Sequence, residues 1–88
     1  MSHFYFHLHE CGSLTEDSEG LYVADLTAAM AIAVRSAREI MAAELTEGRL
    51  CFSCYIEIAD HRGSVLAKIP FKDVVTQRGE QLSSSHKG

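Results

Sequence analysis

The strict alternation of apolar and polar residues near the start of the chain is the sequence feature that most constrains the fold. The run concerned is Phe4-Tyr5-Phe6-His7-Leu8-His9. Successive side chains of a β-strand point to opposite faces, so the three apolar side chains share one face. The other face collects His3, Tyr5, His7 and His9. The run therefore predicts a half-buried strand whose polar face is rich in imidazole rings.

A second pattern predicts one helix over about residues 25–46. Asp25 is suited to the N-cap, because its carboxylate can accept hydrogen bonds from the free N–H groups of the first turn. The alanine-rich sequence favours helix, and Gly48 provides a stop. Helical spacing predicts a buried stripe of Leu26, Met30, Ala33, Ala37, Ile40, Met41 and Glu44. The opposite side would then hold Ala28, Ala31, Arg35, Arg38 and Ala42.

Two further strands are predicted after the helix. Residues 52–59 alternate in polarity, residues 60–63 form a tight turn, and residues 64–70 return as the next strand. A four-residue loop places Ile58 opposite Val65, Ile56 opposite Ala67, and Cys54 opposite Ile69. A short helical turn is expected over residues 71–75. Residues 15–20 are expected to form an acidic loop, followed by a short extended piece over residues 21–23.

These elements predict an α+β fold of order β-α-β-β, in which one helix packs on a three-stranded antiparallel-type sheet. Residues 1–75 are predicted to form one domain, and residues 76–88 a disordered tail. The predicted core is Phe4, Phe6, Leu8, Phe52, Ile56, Ile58, Val65 and Ile69.

Composition narrows the classes of function. Only eight Lys and Arg residues are present and the formal net charge is −4, so no basic stripe is available to bind nucleic acid. No apolar run reaches the roughly 20 residues of a membrane span, and no secretory signal is visible. These features predict a cytoplasmic protein. The three cysteines, an odd number, fit a reducing compartment better than a disulfide framework.

Motifs spread along most of the chain resemble a known family. They are Phe6-His7-Leu8, Gly12, Asp17, Glu19-Gly20, Leu26, Ala29, Ala33, Ala37-Arg38-Glu39, Ile56-Glu57-Ile58, Asp60, Gly63, Val65-Leu66 and Ile69-Pro70-Phe71. The pattern resembles a family of short, uncharacterised proteins of soil and plant-associated alphaproteobacteria, a domain of unknown function, over about residues 3–75. The resemblance implies no activity and no site. Cys51 and Cys54 depart from the family pattern.

Three sets of residues are candidate ligands for a metal. His7 and His9 share one strand face at a spacing that can chelate a divalent cation, with His3 or Cys11 as a further ligand. The alternative is that these histidines are simply polar residues at exposed positions. Cys51 and Cys54 form a C-x-x-C motif, but residues three apart on a strand point to opposite faces, which predicts a core Cys54 and an edge or loop Cys51.

The third set is the acidic loop with Glu16, Asp17 and Glu19. It lacks the one-three-five carboxylate spacing and terminal Glu of a helix-flanked calcium loop, so a solvated turn is favoured over a calcium site. No pair of residues indicates an acid and base or a nucleophile with its base. We therefore expect no catalytic residues, no cofactor and no small-molecule substrate.

The polar face of the predicted sheet is the remaining candidate surface. Exposed tyrosines among mixed charges are typical of a protein contact, and here the set is Tyr5, His7, His9, Tyr55, Glu57, Leu66 and Lys68. Three hypotheses follow. The favoured one is a non-enzymatic interaction module that forms a homodimer through this face or an edge strand, or binds another protein. The alternatives are a metal-binding or metal-sensing protein that uses His3, His7, His9 and Cys11, and, by fold analogy alone, a regulatory partner that neutralises a toxin.

Overall fold

A computed structural model describes residues 1–76 of the chain, which form five strands, one α-helix and one 3-10 helix. In chain order these are β1 (Ser2–Glu10), β2 (Ser13–Thr15), β3 (Leu21–Val23), α1 (Leu26–Thr46), β4 (Tyr55–Ala59), β5 (Val65–Pro70) and the 3-10 helix (Phe71–Asp73). The predicted α+β class is confirmed. The tail predicted to be disordered lies, from residue 77 onward, outside the described residues.

The strands form one antiparallel sheet in which β1 has the most neighbours. The strand order is β2-β1-β4-β5, and β3 also pairs with β1. β2 pairs with the C-terminal end of β1, where Leu8 faces Thr15, and β3 pairs with its N-terminal end, where Phe4 faces Leu21. The prediction of three strands was therefore wrong by two. Strands of three residues are too short to show a period, and β2 is exposed throughout, so its sequence resembles a loop.

The core lies between α1 and the face of the sheet that carries the apolar residues of β1. Asp25 caps α1, since its side chain accepts a hydrogen bond from the Ala28 N–H at 2.8 Å, as predicted. The buried core comprises Phe4, Val23, Ala29, Ala33, Ala37, Met41, Cys54, Ile56, Ile58, Ala59, Ile69, Phe71 and Val74. Three alanines at four-residue spacing let the helix approach the sheet closely.

The buried stripe of α1 differs from the predicted one at its start. The buried residues are Ala29, Ala33, Ala37 and Met41, whereas Met30 is 38% exposed. Leu26 is only half-buried, so the buried stripe begins at Ala29 and not at Leu26. Ala28, predicted to lie on the side opposite the buried stripe, packs against the core. The small alanines gave the sequence pattern too little contrast to fix the rotation of the helix.

The pairing of β4 with β5 differs from the predicted register. Ile56 lies opposite Ile69 and Ile58 opposite Ala67, with an irregularity between Ile58 and Ala59 that brings Ala59 opposite Val65. A bulge adds a residue to one strand and shifts the pairing beyond it. Val65 is consequently 51% exposed, and Phe52, which lies in the segment before β4, is 49% exposed, so the assignment of both to the core was wrong.

The segment before β4 is also not a strand. β4 begins only at Tyr55, and residues 51–54 form an irregular piece in which Cys54 is buried and Cys51 half-buried. The predicted placement of the two cysteines, Cys54 in the core and Cys51 at an edge or in a loop, is thus confirmed. The turn over residues 60–63 is confirmed as well, with the Asp60 carboxylate accepting hydrogen bonds from the N–H groups of Arg62 and Ser64, both at 2.9 Å.

After β5 the chain turns back over the core. The predicted helical turn is the 3-10 helix Phe71–Asp73, and Phe71 is fully buried. The Phe71 N–H donates to the carbonyl of Cys54 at 2.9 Å, and the Arg38 side chain donates to the carbonyl of Val74 at 2.8 Å. These bonds connect the segment after β5 to α1 and to the residue that precedes β4. Across residues 1–76, no helix has the length and apolar character that spanning a bilayer would require.

Candidate functional site

The face of the sheet opposite α1 carries the polar side chains predicted from the alternation in β1. We call it the open sheet face and define it by His3, Tyr5, His7, His9, Tyr55, Glu57 and Lys68. Its residues on β1 and β4 are half-buried, and Lys68 on β5 is exposed. The register places His9 opposite Tyr55, and Glu57 between His7 and Lys68. Backbone pairing therefore brings together residues from three strands.

Rings on this face are stacked along β1. His3 stacks on Tyr22 of β3 with centroids 4.3 Å apart, and its ring lies 4.7 Å from that of Tyr5. Tyr5 is in turn 6.4 Å from His7. These separations lie at or inside the range in which aromatic rings attract each other. The rings therefore form a continuous row along β1.

A second group of stacked side chains lies at the other end of the face. His9 stacks on Tyr55 with a centroid separation of 4.4 Å, and the Lys68 ammonium lies 5.2 Å from the centre of the same tyrosine ring. The His9 Nε2 atom is buried and lies 3.4 Å from a carboxylate oxygen of Glu57, without the geometry of a hydrogen bond. The Tyr55 ring is thus in contact with the imidazole of His9 and with the ammonium group of Lys68.

Asp17 fixes the acidic loop to the middle of β1. Its carboxylate accepts hydrogen bonds from the N–H groups of Phe6 at 3.1 Å, Glu19 at 3.2 Å and Gly20 at 3.0 Å. Phe6 lies between the residues of β1 that pair with β2 and those that pair with β3, so this side chain takes the place of a strand partner there. The Asp17 N–H also donates to the His7 Nδ1 atom at 3.1 Å.

The environment of Asp17 changes its acidity. Burial raises the pKa of the carboxyl group, but the three backbone N–H donors together with the neighbouring His7 ring lower it, and the pKa lies below its usual value. Both carboxylate oxygens are already occupied by protein donors. The contacts therefore favour the structural turn, which the sequence also favoured over a calcium site.

The histidines predicted as metal ligands each have a different partner. His3 Nε2 lies 2.7 Å from the carbonyl oxygen of Glu19, His7 accepts the N–H of Asp17, and His9 faces Glu57. Cys11, the fourth predicted ligand, lies beyond the end of β1 with the two other cysteines. Within residues 1–76, the only convergence of three metal-ligating side chains is Cys11, Cys51 and Cys54, whose sulfur atoms all lie within 4.8 Å of one another.

We call these three residues the thiol cluster. Cys11 and Cys51 form a disulfide across 40 residues, contrary to the expectation of free thiols, and Cys54 is free and buried. Burial raises the pKa of the Cys54 thiol, as do the carboxylates of Glu44 and Glu10, against a lowering by the Cys11 backbone N–H. The sequence offered one signal, the C-x-x-C spacing, but gave no reason to join it to Cys11, which is distant in the chain.

The fold and these surfaces define a class, the small α+β domains in which one helix covers an antiparallel sheet and leaves the opposite face exposed. The chain belongs to the family described as Domain of unknown function (DUF6894), whose model matches residues 3–72. The expected membership of an uncharacterised family is therefore confirmed. No curated protein and no solved structure matches the chain.

Proposed function

We propose that the chain is a non-enzymatic interaction module of the bacterial cytoplasm that forms a homodimer through the open sheet face. The observation that carries the proposal is the row of stacked rings on this face. Tyrosine is enriched at protein contacts because it contributes a large rigid surface and a hydrogen-bonding hydroxyl. Side chains already held by stacking lose less conformational entropy when a partner binds.

Charge complementarity supports a second copy as the partner. In a two-fold symmetric contact the same patch meets itself, so each acidic group needs a basic group across the axis. The open sheet face supplies both, with Glu57 on β4 and Lys68 directly opposite on β5. Lys68 forms no ion pair with Glu57 within the described chain and is free to meet the partner's carboxylate.

The edge strand β5 extends this surface. It is the last strand of the sheet order, and Leu66, which alternation places on the same face as Lys68, is 41% exposed. Together with the exposed Val65, it adds apolar area beside the tyrosines. The interface that we propose therefore uses Tyr5, His7, His9, Tyr55, Glu57, Leu66 and Lys68.

The test is the mass of the untagged protein, measured by sedimentation velocity and native mass spectrometry over a range of concentrations. We expect a dimer that becomes a monomer in the double variant Tyr5→Glu, Tyr55→Glu, because each interface would bury four added carboxylates without partners. Leu45→Glu is the matched control, since Leu45 is 62% exposed on α1 in the other layer.

Two results would contradict the proposal. One is a wild-type monomer at every concentration. The other is a dimer that survives the tyrosine substitutions and is lost in Leu45→Glu, which would move the interface to the helix. Circular dichroism of each variant confirms that the fold is retained.

The other two hypotheses have less support. Metal binding through His3, His7, His9 and Cys11 stays a prediction, and the separate partners of the four residues do not favour it. Neutralisation of a toxin rests on the resemblance of the layer arrangement alone. Neither hypothesis has support from contacts between named residues of the kind that the stacked rings give to the open sheet face.

A further inference from the structure

The thiol cluster joins three separate parts of the chain. Cys11 lies in the turn between β1 and β2, Cys51 follows α1, and Cys54 immediately precedes β4. Their sulfur atoms converge within 4.8 Å. The Ser53 hydroxyl lies 3.3 Å from the sulfur of Cys11 and 3.2 Å from that of Cys51, so it can donate a hydrogen bond to either. The fold thus brings Cys11 beside Cys51, which lies 40 residues further along the chain, and beside the neighbouring Cys54.

Two carboxylates lie beside the thiol cluster. The cluster borders a cavity of about 270 Å³ that Glu10 and Glu44 also line. The Glu44 Oε1 atom is buried and has no hydrogen-bond partner within the described residues. A buried carboxylate oxygen without a donor is unfavourable, and a cation in the cavity would provide the missing interaction.

We propose that, with its cysteines reduced, the thiol cluster binds a thiophilic divalent cation of the zinc type through Cys11, Cys51 and Cys54, with Glu44 as the fourth ligand. Zinc in proteins is commonly four-coordinate and accepts thiolate and carboxylate ligands together. Three thiolates select soft and borderline cations over magnesium or calcium. The site uses none of the residues of the open sheet face, so it does not depend on the proposed function.

The disulfide must open before the cation binds. A cellular dithiol reductant supplies two electrons and two protons, the bond between the sulfurs of Cys11 and Cys51 breaks, and each sulfur takes up one proton while the dithiol becomes a disulfide. Binding of the cation then displaces one proton from each of the three thiols to solvent. The same residues therefore exist as a disulfide under oxidising conditions and as a metal site under reducing ones.

The test is titration of the full chain with Co²⁺, a spectroscopic substitute for Zn²⁺, after reduction with a phosphine that does not compete for the metal. We expect one Co²⁺ per chain, with sulfur-to-metal charge-transfer absorption and the strong visible bands of a tetrahedral site. Added Zn²⁺ should displace it. The oxidised protein should show neither signal, because two of its ligands are joined to each other.

Single substitutions identify the ligands. Cys11→Ser, at an exposed position, and Cys54→Ser, at a buried one, should each weaken binding by more than about tenfold, and Glu44→Gln by at least about tenfold. The control is the double variant His7→Ala, His9→Ala, which should bind as tightly as the wild type. Circular dichroism checks the folding of each protein.

Three results would overturn the site. They are a folded, reduced protein that takes up no Co²⁺, binding that survives Cys11→Ser unchanged, and binding lost in the histidine variant. The last result would instead support the histidine ligands predicted from the sequence.

Discussion

Asp17 shows how one side chain can replace a missing strand. Between the short pairings of β2 and β3 with β1, the backbone N–H of Phe6 would lack a partner, and the Asp17 carboxylate accepts its hydrogen bond. The same carboxylate accepts two more N–H groups of its own loop. Gly20 ends this loop with φ +71°, and a Cβ atom there would approach the carbonyl oxygen of Phe4 to 2.8 Å. The acidic loop is therefore closely fitted to β1.

We expect Asp17→Asn to lower the free energy of unfolding by about 1–3 kcal/mol at neutral pH, because the amide carries no charge and offers one acceptor oxygen instead of two. The measurement is urea unfolding followed by circular dichroism. Glu16→Gln is the matched control, since it removes the same charge from an exposed neighbour and should change stability by less than about 0.5 kcal/mol.

The pKa of Asp17 sets the pH dependence of this effect. The folded protein holds the pKa below the unfolded value of about 4. The stabilisation is thus fully present above pH ~4 and is lost as the pH falls through the folded pKa. The difference in unfolding free energy between wild type and Asp17→Asn should shrink in that acidic range. A difference that stays constant there would show that the charge of Asp17 is not the stabilising group.

At the level of elements, the contact between α1 and the sheet depends on small residues. Ala29, Ala33 and Ala37 are fully buried and recur every four residues along the helix. A larger side chain at these positions would push the helix away from β4 and β5, which it contacts. The close approach of the two layers is thus determined by residues that contribute little apolar area themselves.

We expect Ala37→Leu to lower the free energy of unfolding by about 1–3 kcal/mol, since the added atoms must displace packed neighbours. Ala31→Leu is the control, because Ala31 is exposed on the same helix and the substitution is chemically identical. Its effect should stay within about 0.5 kcal/mol. Thermal unfolding of both variants is the measurement, and equal effects would show that this face of α1 is not tightly packed.

The helix and the long strand could be predicted because their patterns repeat over several periods. The N-cap at Asp25 and the alternation in β1 are local features, and both are present in the structure. The register shift between Ile58 and Ala59, the exposure of Phe52 and the pairing of β2 and β3 with β1 depend on contacts between distant segments. The open sheet face could be predicted from the alternation of polar and apolar residues. The thiol cluster could not, since it is the pairing of β1 with β4 that brings Cys11 beside Cys51.

On the scale of the whole molecule, the thiol cluster connects the turn after β1 to the segment before β4. Cys11 follows β1, and Cys51 lies between α1 and β4, so the disulfide closes a loop of 40 residues that contains β2, β3 and the helix. In the cytoplasm, which we propose as the location of the protein, disulfides are rare and thiols stay reduced. The oxidation state of the thiol cluster therefore determines whether a covalent bond joins the turn after β1 to the segment before β4.

We expect the oxidised protein to be more stable than the reduced, metal-free protein by up to about 4 kcal/mol, because the cross-link reduces the entropy of the unfolded chain for a loop of this length. Urea unfolding with and without a phosphine reductant, in the presence of a chelator, measures the difference. Cys11→Ser should unfold at the same urea concentration in both buffers, whereas Cys54→Ser should keep the sensitivity to reductant. A wild type unaffected by reductant would show that Cys11 and Cys51 are not joined in solution, and the thiol cluster would then contribute to stability only by binding a cation.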